Sequence, residues 1–256
     1  MLSSSQKRAI KDFKAVTGVS DSIAKKELQK CKYNVEQALD NFFNSGGSGP
    51  APVMSSSTRA NMEKSLNKIF DTYIGEEKDN IFDEGFAKFF EDHGVDPEGA
   101  MTLAFAWKVK CERVGECSRQ EFVSGLTALN CDTTAKIKAE LASMTSQLKT
   151  NNSKYKEFYR WVFTFFLNQL EKGRKTLDKE QALEVWSIVL NGHFPLLDKF
   201  LAFMEKNEEN HINADLWNQV YDFAAEIRPD LSNWEDDGAW PVVIDDFVGF
   251  LQEGSS

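Results

Sequence analysis

Apolar residues recur every three or four positions along most of this chain, which is the spacing of one face of an α-helix. Three segments between the helical patterns, 80–82, 176–177 and 211–213, have the extended character of short strands. Elsewhere no alternating run is long enough for a strand, so the pattern predicts an all-α fold class. From residue 61 onward it predicts ten helices joined by short connections, at 61–73, 84–93, 99–109, 118–129, 133–150, 153–170, 178–190, 195–205, 213–226 and 241–252.

The first 45 residues have the same period on a smaller scale and predict a bundle of three short helices. The pattern places them over 6–16, 21–29 and 35–43. Ser20 or Asp21 is the N-cap expected for the second helix. The third is expected to start after Asn34. Three helices around one small core are close to the lower size limit for a domain that folds alone.

A segment without charge separates this bundle from the longer helical part. Residues 46–58 are dominated by Gly, Ser, Pro and Ala, a composition typical of a flexible linker with a stiffer proline-containing middle. The sequence therefore predicts a small domain at 5–45, a linker at 46–58 and a larger domain at 60–252.

The stretch 232–250 combines an acidic loop with an amphipathic helix. Two tryptophans and three acids precede Pro241, a residue tolerated in the first helical turn. After it, the apolar positions fall on one helical face. Asp245 and Asp246 both project away from that face, Asp245 the more nearly opposite. We therefore expect a negative surface patch here and not a catalytic pocket.

Charge and cysteine usage restrict the partners. The chain of 256 residues has a net charge of −10, yet residues 1–45 contain eight Lys or Arg and five Asp or Glu. The remainder holds 22 basic and 35 acidic residues, a net of −13. This balance disfavours a nucleic-acid surface and suits a basic protein partner. The apolar runs are too short for a membrane span. With four cysteines and no CxxC spacing, we expect reduced thiols and a cytoplasmic and nuclear location.

Two loops resemble calcium-binding EF-hand loops in spacing. In 110–121, Gly115 and Glu121 occupy the sixth and twelfth positions, as calcium requires, but Lys110 and Val114 occupy ligand positions one and five. The loop 205–216 has acids early but Leu216 at the twelfth position. We therefore predict EF-hand-like packing without calcium, and neither a metal nor another cofactor.

Residues for covalent catalysis are not arranged in a recognisable motif. The three histidines, His93, His193 and His211, have no nucleophile or metal-ligand partner at a suitable spacing. Cys111 follows Lys110, which favours a lowered thiol pKa; an ordinary buried or rim thiol is the competing interpretation. The aromatic run at 158–166 exceeds one helix face, so part of it lines a groove or the helix is buried all round. The sequence thus predicts a binding protein and not an enzyme.

The amino-terminal unit resembles a ubiquitin-associated (UBA) domain in its helix lengths and in the segments 17–19 and 34–43. The resemblance implies weak ubiquitin binding through the first loop and the end of the third helix. A competing interpretation is that these residues only close the small core. The implied ubiquitin-binding residues are Thr17, Gly18, Val19, Leu39 and Phe43.

Residues 60–252 resemble the potentiating-neddylation (PONY) domain of the defective-in-cullin-neddylation (DCN-like) family. The family resemblance implies a scaffold-type co-ligase that holds a cullin together with the conjugating enzyme charged with the neddylation modifier, without a covalent intermediate. It implies a RING-box protein as an indirect partner. The motifs that carry the resemblance are 106–108, 120–122, 189–192, Asp198, 215–218, 232–234 and above all 238–247.

The resemblance also implies two binding sites. A cullin-binding patch is expected at Asp215, Ala239 and Asp245. An apolar pocket is expected to accept the acetylated amino-terminal methionine of the conjugating enzyme. Its implied residues are Phe86, Phe105, Val114, Phe165 and Ile188, with the polar Asp83 and Thr102 beside them. The alternative function is a ubiquitin-binding adaptor with a degenerate EF-hand domain and no role in cullin modification.

Overall fold

The computed structural model describes residues 3–17, 19–44, 56–75, 79–97, 99–235 and 240–253. Within these ranges the chain is mostly helical with little strand, which confirms the all-α prediction. The helices are α1 Ser4–Thr17, α2 Asp21–Lys30, α3 Val35–Asn44, α4 Ser56–Phe70, α5 Asp83–Asp92, α6 Ala100–Val109, α7 Arg119–Ala128, α8 Thr134–Thr150, α9 Asn152–Leu167, α10 Lys179–Val189, α11 Leu197–Lys206, α12 Ala214–Glu226 and α13 Val242–Glu253. The strands are β1 Asn80–Ile81, β2 Cys117–Ser118, β3 Thr176–Asp178 and β4 His211–Asn213.

The chain divides into two compact units, residues 1–61 and residues 62–256. In the first unit α1, α2 and α3 enclose a small core with Phe13, Ala24 and Leu28 at its centre. Ser20 caps α2, as predicted, because its side chain accepts a hydrogen bond from the Ile23 amide. Asn34 likewise accepts a bond from the Gln37 amide at 3.1 Å. Short polar side chains thus set the helix ends in the smaller unit.

In the second unit the strands form two antiparallel pairs, and each pair joins two helix–loop–helix segments. β1 pairs with β2, with Ile81 opposite Cys117. β3 pairs with β4, with Leu177 opposite Ile212. The sheets therefore connect the α4–α5 segment to α6–α7, and α9–α10 to α11–α12. Extended pieces were predicted at β1, β3 and β4, whereas β2 was not. The EF-hand assignment itself stays a prediction.

A hydrogen-bonded aromatic cluster fixes α9, α10 and α12 at the centre of the second unit. The hydroxyl of Tyr159 donates to the Trp217 carbonyl at 2.8 Å and accepts from Trp186 Nε1 at 2.9 Å. Trp217 Nε1 donates to the Tyr159 carbonyl at 3.1 Å. All three side chains are buried, and burial raises the pKa of Tyr159. Because each polar atom has a partner, the cluster adds rigidity without leaving a donor unsatisfied.

Candidate functional site

A large cavity of the second unit lies where α5, α6, α9 and α10 meet the loop between α6 and β2. It has a volume of about 630 Å³ and a largely apolar wall. Four of the five residues predicted for the pocket line it, and so do Asp83 and Thr102. Its wall consists of Asp83, Phe86, Ala87, Phe90, Glu91, Pro97, Thr102, Leu103, Ala106, Cys111, Arg113, Val114, Gly115, Glu116, Phe165, Phe166 and Ile188.

Phe105 belongs to the layer behind this wall. It is 2% exposed and lies edge-on to the cavity-lining rings of Phe86 and Phe90, with centroids 6.2 and 5.6 Å away. Its packing supports the shape of the cavity, but the side chain does not line it. The aromatic run predicted to line a groove does so through Phe165 and Phe166, because its other large side chains fill the core.

Helix α5 presents one continuous stripe to the cavity. Asp83, Phe86, Phe90 and Glu91 recur at helical spacing and all line the wall. The two aromatic rings stack on each other at 5.9 Å. The stripe is therefore apolar in the middle and acidic at both ends, which suits an apolar group inserted between polar surroundings.

The loop between α6 and β2 forms the rim of the cavity. Arg113 and Glu116 form an isolated antiparallel bridge and an ion pair at 3.3 Å, and Val114 between them is 42% exposed. Gly115 has a φ of +70°, and a Cβ there would lie 2.5 Å from Asp83 Oδ1. The positive φ favours glycine at this position, whereas the Asp83 carboxylate could move away from a Cβ. The close turn brings the rim against the first turn of α5.

Glu121 occupies the twelfth position of this loop, where a calcium-binding loop would have a ligand, and its carboxylate accepts hydrogen bonds from the loop itself. Glu121 accepts bonds from the amide of Glu112 at 2.8 Å and from the amide and hydroxyl of Ser118 at 2.7 and 2.6 Å. The Ser118 bonds form a capping box at the start of α7. The carboxylate therefore fixes the loop directly.

Millimolar calcium is expected to leave the melting temperature unchanged, because Lys110 and Val114 supply no carboxylate and Glu121 is already engaged. Thermal melts with calcium and with a chelator measure this. Magnesium at the same concentration is the control for ionic strength. A rise in melting temperature that saturates with calcium would contradict the prediction.

The residues predicted to bind cullin lie at the starts of two helices. Asp215 is exposed in the first turn of α12, and Asp245 is half-buried in the first turn of α13. Ala239 lies outside the described residues. Both helices are anchored in one aromatic core, since the ring of Phe223 on α12 lies 5.9 Å from that of Phe247 on α13. That the three residues form a single patch stays a prediction.

The solvent-facing side of helix α13 is centred one residue later in the sequence than predicted. Val242, Asp246 and Phe250, spaced by four, are exposed, with Val242 72% exposed, and so are Gln252 and Glu253 in the last turn. Asp246, rather than Asp245, thus lies most nearly opposite the buried face. Phe250 was predicted to point inward, but it is 38% exposed and lies beside Phe203, with ring centroids 5.6 Å apart. Asp245 therefore flanks an outer face that is partly apolar.

The chain is similar to known proteins over most of its length. Residues 136–250 match the cullin-binding domain model and residues 7–49 match the UBA-like domain model. Human DCN1-like protein 5 is 32% identical over 240 residues, covering 93% of this chain and 95% of that protein. The chain belongs to the DCN1-like family. Defective in cullin neddylation protein 1 of Yarrowia lipolytica is 30% identical over 239 residues, with 93% of each chain covered.

The cullin-binding match to this DCN1-like chain covers only some of the predicted site residues. Phe165, Ile188, Asp215 and Asp245 lie inside residues 136–250, while the α5 wall of the cavity precedes them. Human DCN1-like protein 4 is 37% identical over 184 residues, with 72% of this chain and 61% of that protein covered. The likeness to family members thus extends well beyond the matched domain.

The structure describes only some of the predicted ubiquitin-binding residues of the UBA-like unit. Thr17 ends α1, where its hydroxyl donates to the Phe13 carbonyl at 2.7 Å. Val19 is 5% exposed and belongs to the small core. Gly18 and the side chains of Leu39 and Phe43 lie outside the described residues. The burial of Val19 favours the packing interpretation at this position.

Replacing Val19 by Asp is expected to unfold the UBA-like unit, because a carboxylate buried in a core of this size costs several kcal/mol. Hydrogen exchange on the full chain measures the change: amides of α1–α3 should lose protection while those of α4–α13 keep it. Glu36→Lys, at an exposed position of α3, is the control. Protection retained in α1–α3 of the Val19→Asp protein would contradict the expected burial.

Across the described ranges no helix combines the length and apolar character that a bilayer crossing needs. Among those residues, no three His, Cys, Asp or Glu side chains form a group that could hold a metal ion.

Several cavity residues were not predicted from the sequence. Cys111, Arg113 and Glu116 come from the rim loop, of which only Val114 was predicted to belong to the pocket. Phe90 and Glu91 were recognisable only as part of an amphipathic helix. The sequence feature that could have indicated them is the α5 stripe, in which acidic residues lie at both ends and aromatic residues lie between them.

Proposed function

We propose that this protein promotes the neddylation of cullins as a non-catalytic scaffold. Membership in the DCN1-like family and the match to the cullin-binding domain support a role in cullin neddylation. The more specific proposal is that one surface binds the cullin while the cavity binds the conjugating enzyme that carries the modifier.

The observation that carries this proposal is the cavity of about 630 Å³, with its apolar wall and polar rim. Its size and chemistry suit a methionine side chain and the apolar residues that follow it in an extended peptide. An acetyl group removes the charge of the terminal amine, so the whole tip of the peptide enters the cavity without an ammonium ion. We assign the acetylated amino terminus of the neddylation conjugating enzyme to this cavity.

The cullin is assigned to the surface that contains Asp215, Ala239 and Asp245. Two acids at helix starts suit a basic partner surface. Ala239, which lies between them in the sequence, has a small side chain that would permit close approach. The exposed Val242 and Phe250 add apolar area beside Asp245. A surface with acidic and apolar parts is typical of protein interfaces, where charge orients the partner and apolar contact strengthens binding.

Holding both partners on one molecule accelerates transfer through proximity. The acceptor lysine belongs to the cullin and the thioester cysteine to the conjugating enzyme, so the scaffold supplies orientation and a raised effective concentration. A RING-box protein takes part through the cullin. We further propose weak ubiquitin binding by the UBA-like unit through Thr17, Gly18, Leu39 and Phe43, and a cytoplasmic and nuclear location.

Single-turnover transfer of the modifier to a cullin, with and without this chain, tests the proposal. Effective-concentration arithmetic predicts an acceleration of about tenfold or more at partner concentrations below their dissociation constants. His93→Ala, His193→Ala and His211→Ala variants that keep the wild-type melting temperature should retain it. A ubiquitin-binding adaptor without a role in cullin modification would bind ubiquitin and leave the transfer rate unchanged. Loss of the acceleration in a folded histidine variant would indicate chemistry performed by the chain itself.

A further inference from the structure

Two cysteines meet behind the rim of the cavity. The Sγ atoms of Cys111 and Cys117 are 2.9 Å apart, and the two residues are 4% and 0% exposed. A disulfide has an S–S distance of about 2.05 Å, so a movement of about 0.9 Å would bring the sulfurs to bonding distance. The sequence does not indicate this contact, because five residues separate the cysteines and no CxxC motif is present.

The intervening loop already holds the two thiols together. The Arg113–Glu116 bridge lies between them and turns the chain back on itself. The backbone of Glu112 is fixed on both sides: its amide donates to Glu121 Oε1 at 2.8 Å, and its carbonyl accepts from Gln169 Nε2 at 2.9 Å. Formation of a bond between the sulfurs therefore requires little loss of loop entropy.

The two thiols have different surroundings. Cys111 lines the cavity and is therefore open to a small solute that enters it. Cys117 faces the core, where the hydrogen bond with Cys111 and burial raise its pKa. Cys117 thus remains a thiol. This difference makes Cys111 the sulfur that an oxidant meets first and Cys117 the sulfur that completes the disulfide.

We propose that Cys111 and Cys117 form a peroxide-sensitive dithiol whose oxidation reshapes the rim of the cavity and weakens peptide binding there. The Cys111 thiol gives up its proton as its sulfur attacks hydrogen peroxide and cleaves the O–O bond. The sulfur becomes a sulfenic acid, and the hydroxide that is released takes up this proton as water. The Cys117 thiol then attacks that sulfur, and the hydroxyl group leaves with the thiol proton as water. Altogether two thiols and one peroxide yield one disulfide and two waters.

Oxidation is expected to change the cavity because the disulfide closes the segment that forms its rim. Arg113, Val114, Gly115 and Glu116 lie between the two cysteines and all line the cavity. Movement of Cys111 towards Cys117 displaces part of the cavity wall. Van der Waals contacts between this wall and a bound group weaken when the atoms separate by a few tenths of an ångström. The consequence for the acetylated peptide rests on the proposed function; formation of the disulfide does not.

The test treats the full-length protein with hydrogen peroxide and maps the cysteines by peptide mass spectrometry. We expect a Cys111–Cys117 disulfide, a mass lower by two hydrogen atoms, and reversal by dithiothreitol. Hydrogen exchange at residues 112–116 should slow on oxidation. The affinity for an acetylated methionine peptide should fall about fivefold or more and recover on reduction.

Cys131→Ser is the matched control, since Cys131 is a buried thiol of the same unit whose sulfur contacts the carbonyls of Leu129 and Lys136. That variant should still form the disulfide, whereas Cys111→Ser should not. The inference is overturned if peroxide yields no Cys111–Cys117 disulfide in the wild-type protein. It is equally overturned if the disulfide forms without changing exchange at 112–116. Reduced protein that binds no acetylated peptide would instead contradict the proposed function.

Discussion

An acetylated amino-terminal methionine peptide is expected to bind the cavity at least ~100-fold more tightly than the same peptide with a free amine. The reason is that an ammonium ion loses its hydration inside an apolar cavity, at an effective cost of several kcal/mol. A hundredfold difference corresponds to about 2.8 kcal/mol, which lies within that cost. Calorimetric titration of both peptides measures it, and equal affinities would remove the pocket assignment.

Acids at the rim weaken the preference for the acetyl group without abolishing it. Asp83 and Glu91 are exposed at the two ends of the α5 stripe, and Glu116 is paired with Arg113. An exposed carboxylate attracts an ammonium ion by about 0–1 kcal/mol, less than the cost of burying the ion. In the Asp83→Asn protein this attraction is lost, so the preference for the acetylated peptide should increase.

Filling the cavity should prevent binding of the acetylated peptide. Ala87 is half-buried on the cavity-lining face of α5, so Ala87→Trp places an indole in the space assigned to methionine. Ala202→Trp, at an exposed position of α11, is the matched control for the same substitution on a helix surface. The cavity variant should lose peptide binding while its melting temperature stays close to that of the control.

Reversing the charge of Asp245 is expected to weaken cullin binding by about 1–3 kcal/mol, as for a disrupted interfacial charge pair. Asp215→Lys should have an effect of the same size. Ala239→Arg adds bulk as well as charge and is expected to be at least as damaging. Cullin affinity and melting temperature are measured together for each variant, so that lost binding is distinguished from lost folding.

Asp246→Lys is the control for the Asp245 variant. Both residues lie near the start of α13, and both changes alter the net charge by the same amount. Asp245 lies in the first turn, where an acid favours the helix by about 0.3–1 kcal/mol, so its reversal should reduce stability by about 1 kcal/mol; Asp246 lies one position later, and its reversal should reduce stability by less. Equal loss of cullin binding in both variants would indicate a general charge effect. Unfolding of the Asp245 variant alone would make that acid structural.

The helices and the two predicted N-caps of the small unit followed from the sequence because they depend on neighbouring residues. Periodicity alone located α5, α9 and α12, and Ser20 and Asn34 cap as their side-chain chemistry predicts. Strand β2 was missed because the sequence pattern assigned Ser118 to the start of the helix predicted at 118–129. It forms because Ile81 is available as a pairing partner from a distant loop.

The cavity and the outer face of α13 depend on contacts that periodicity does not contain. Phe86, Val114, Phe165 and Ile188 lie on separate elements, and their grouping came from the family resemblance. Which acid of α13 is most exposed is decided by packing against α11, whose Phe203 partly covers Phe250. The same limit applies to Cys111 and Cys117, whose contact depends on how the rim loop folds.

The central claim is that one molecule holds both partners, and complementation in single-turnover transfer tests it most directly. The Ala87→Trp protein should retain cullin binding, and the Asp245→Lys protein should retain peptide binding. If both sites must act within one molecule, each variant fails to accelerate transfer to the cullin and an equimolar mixture of the two fails as well. A mixture that restores the wild-type rate would contradict the scaffold, because the two sites would then act from separate molecules.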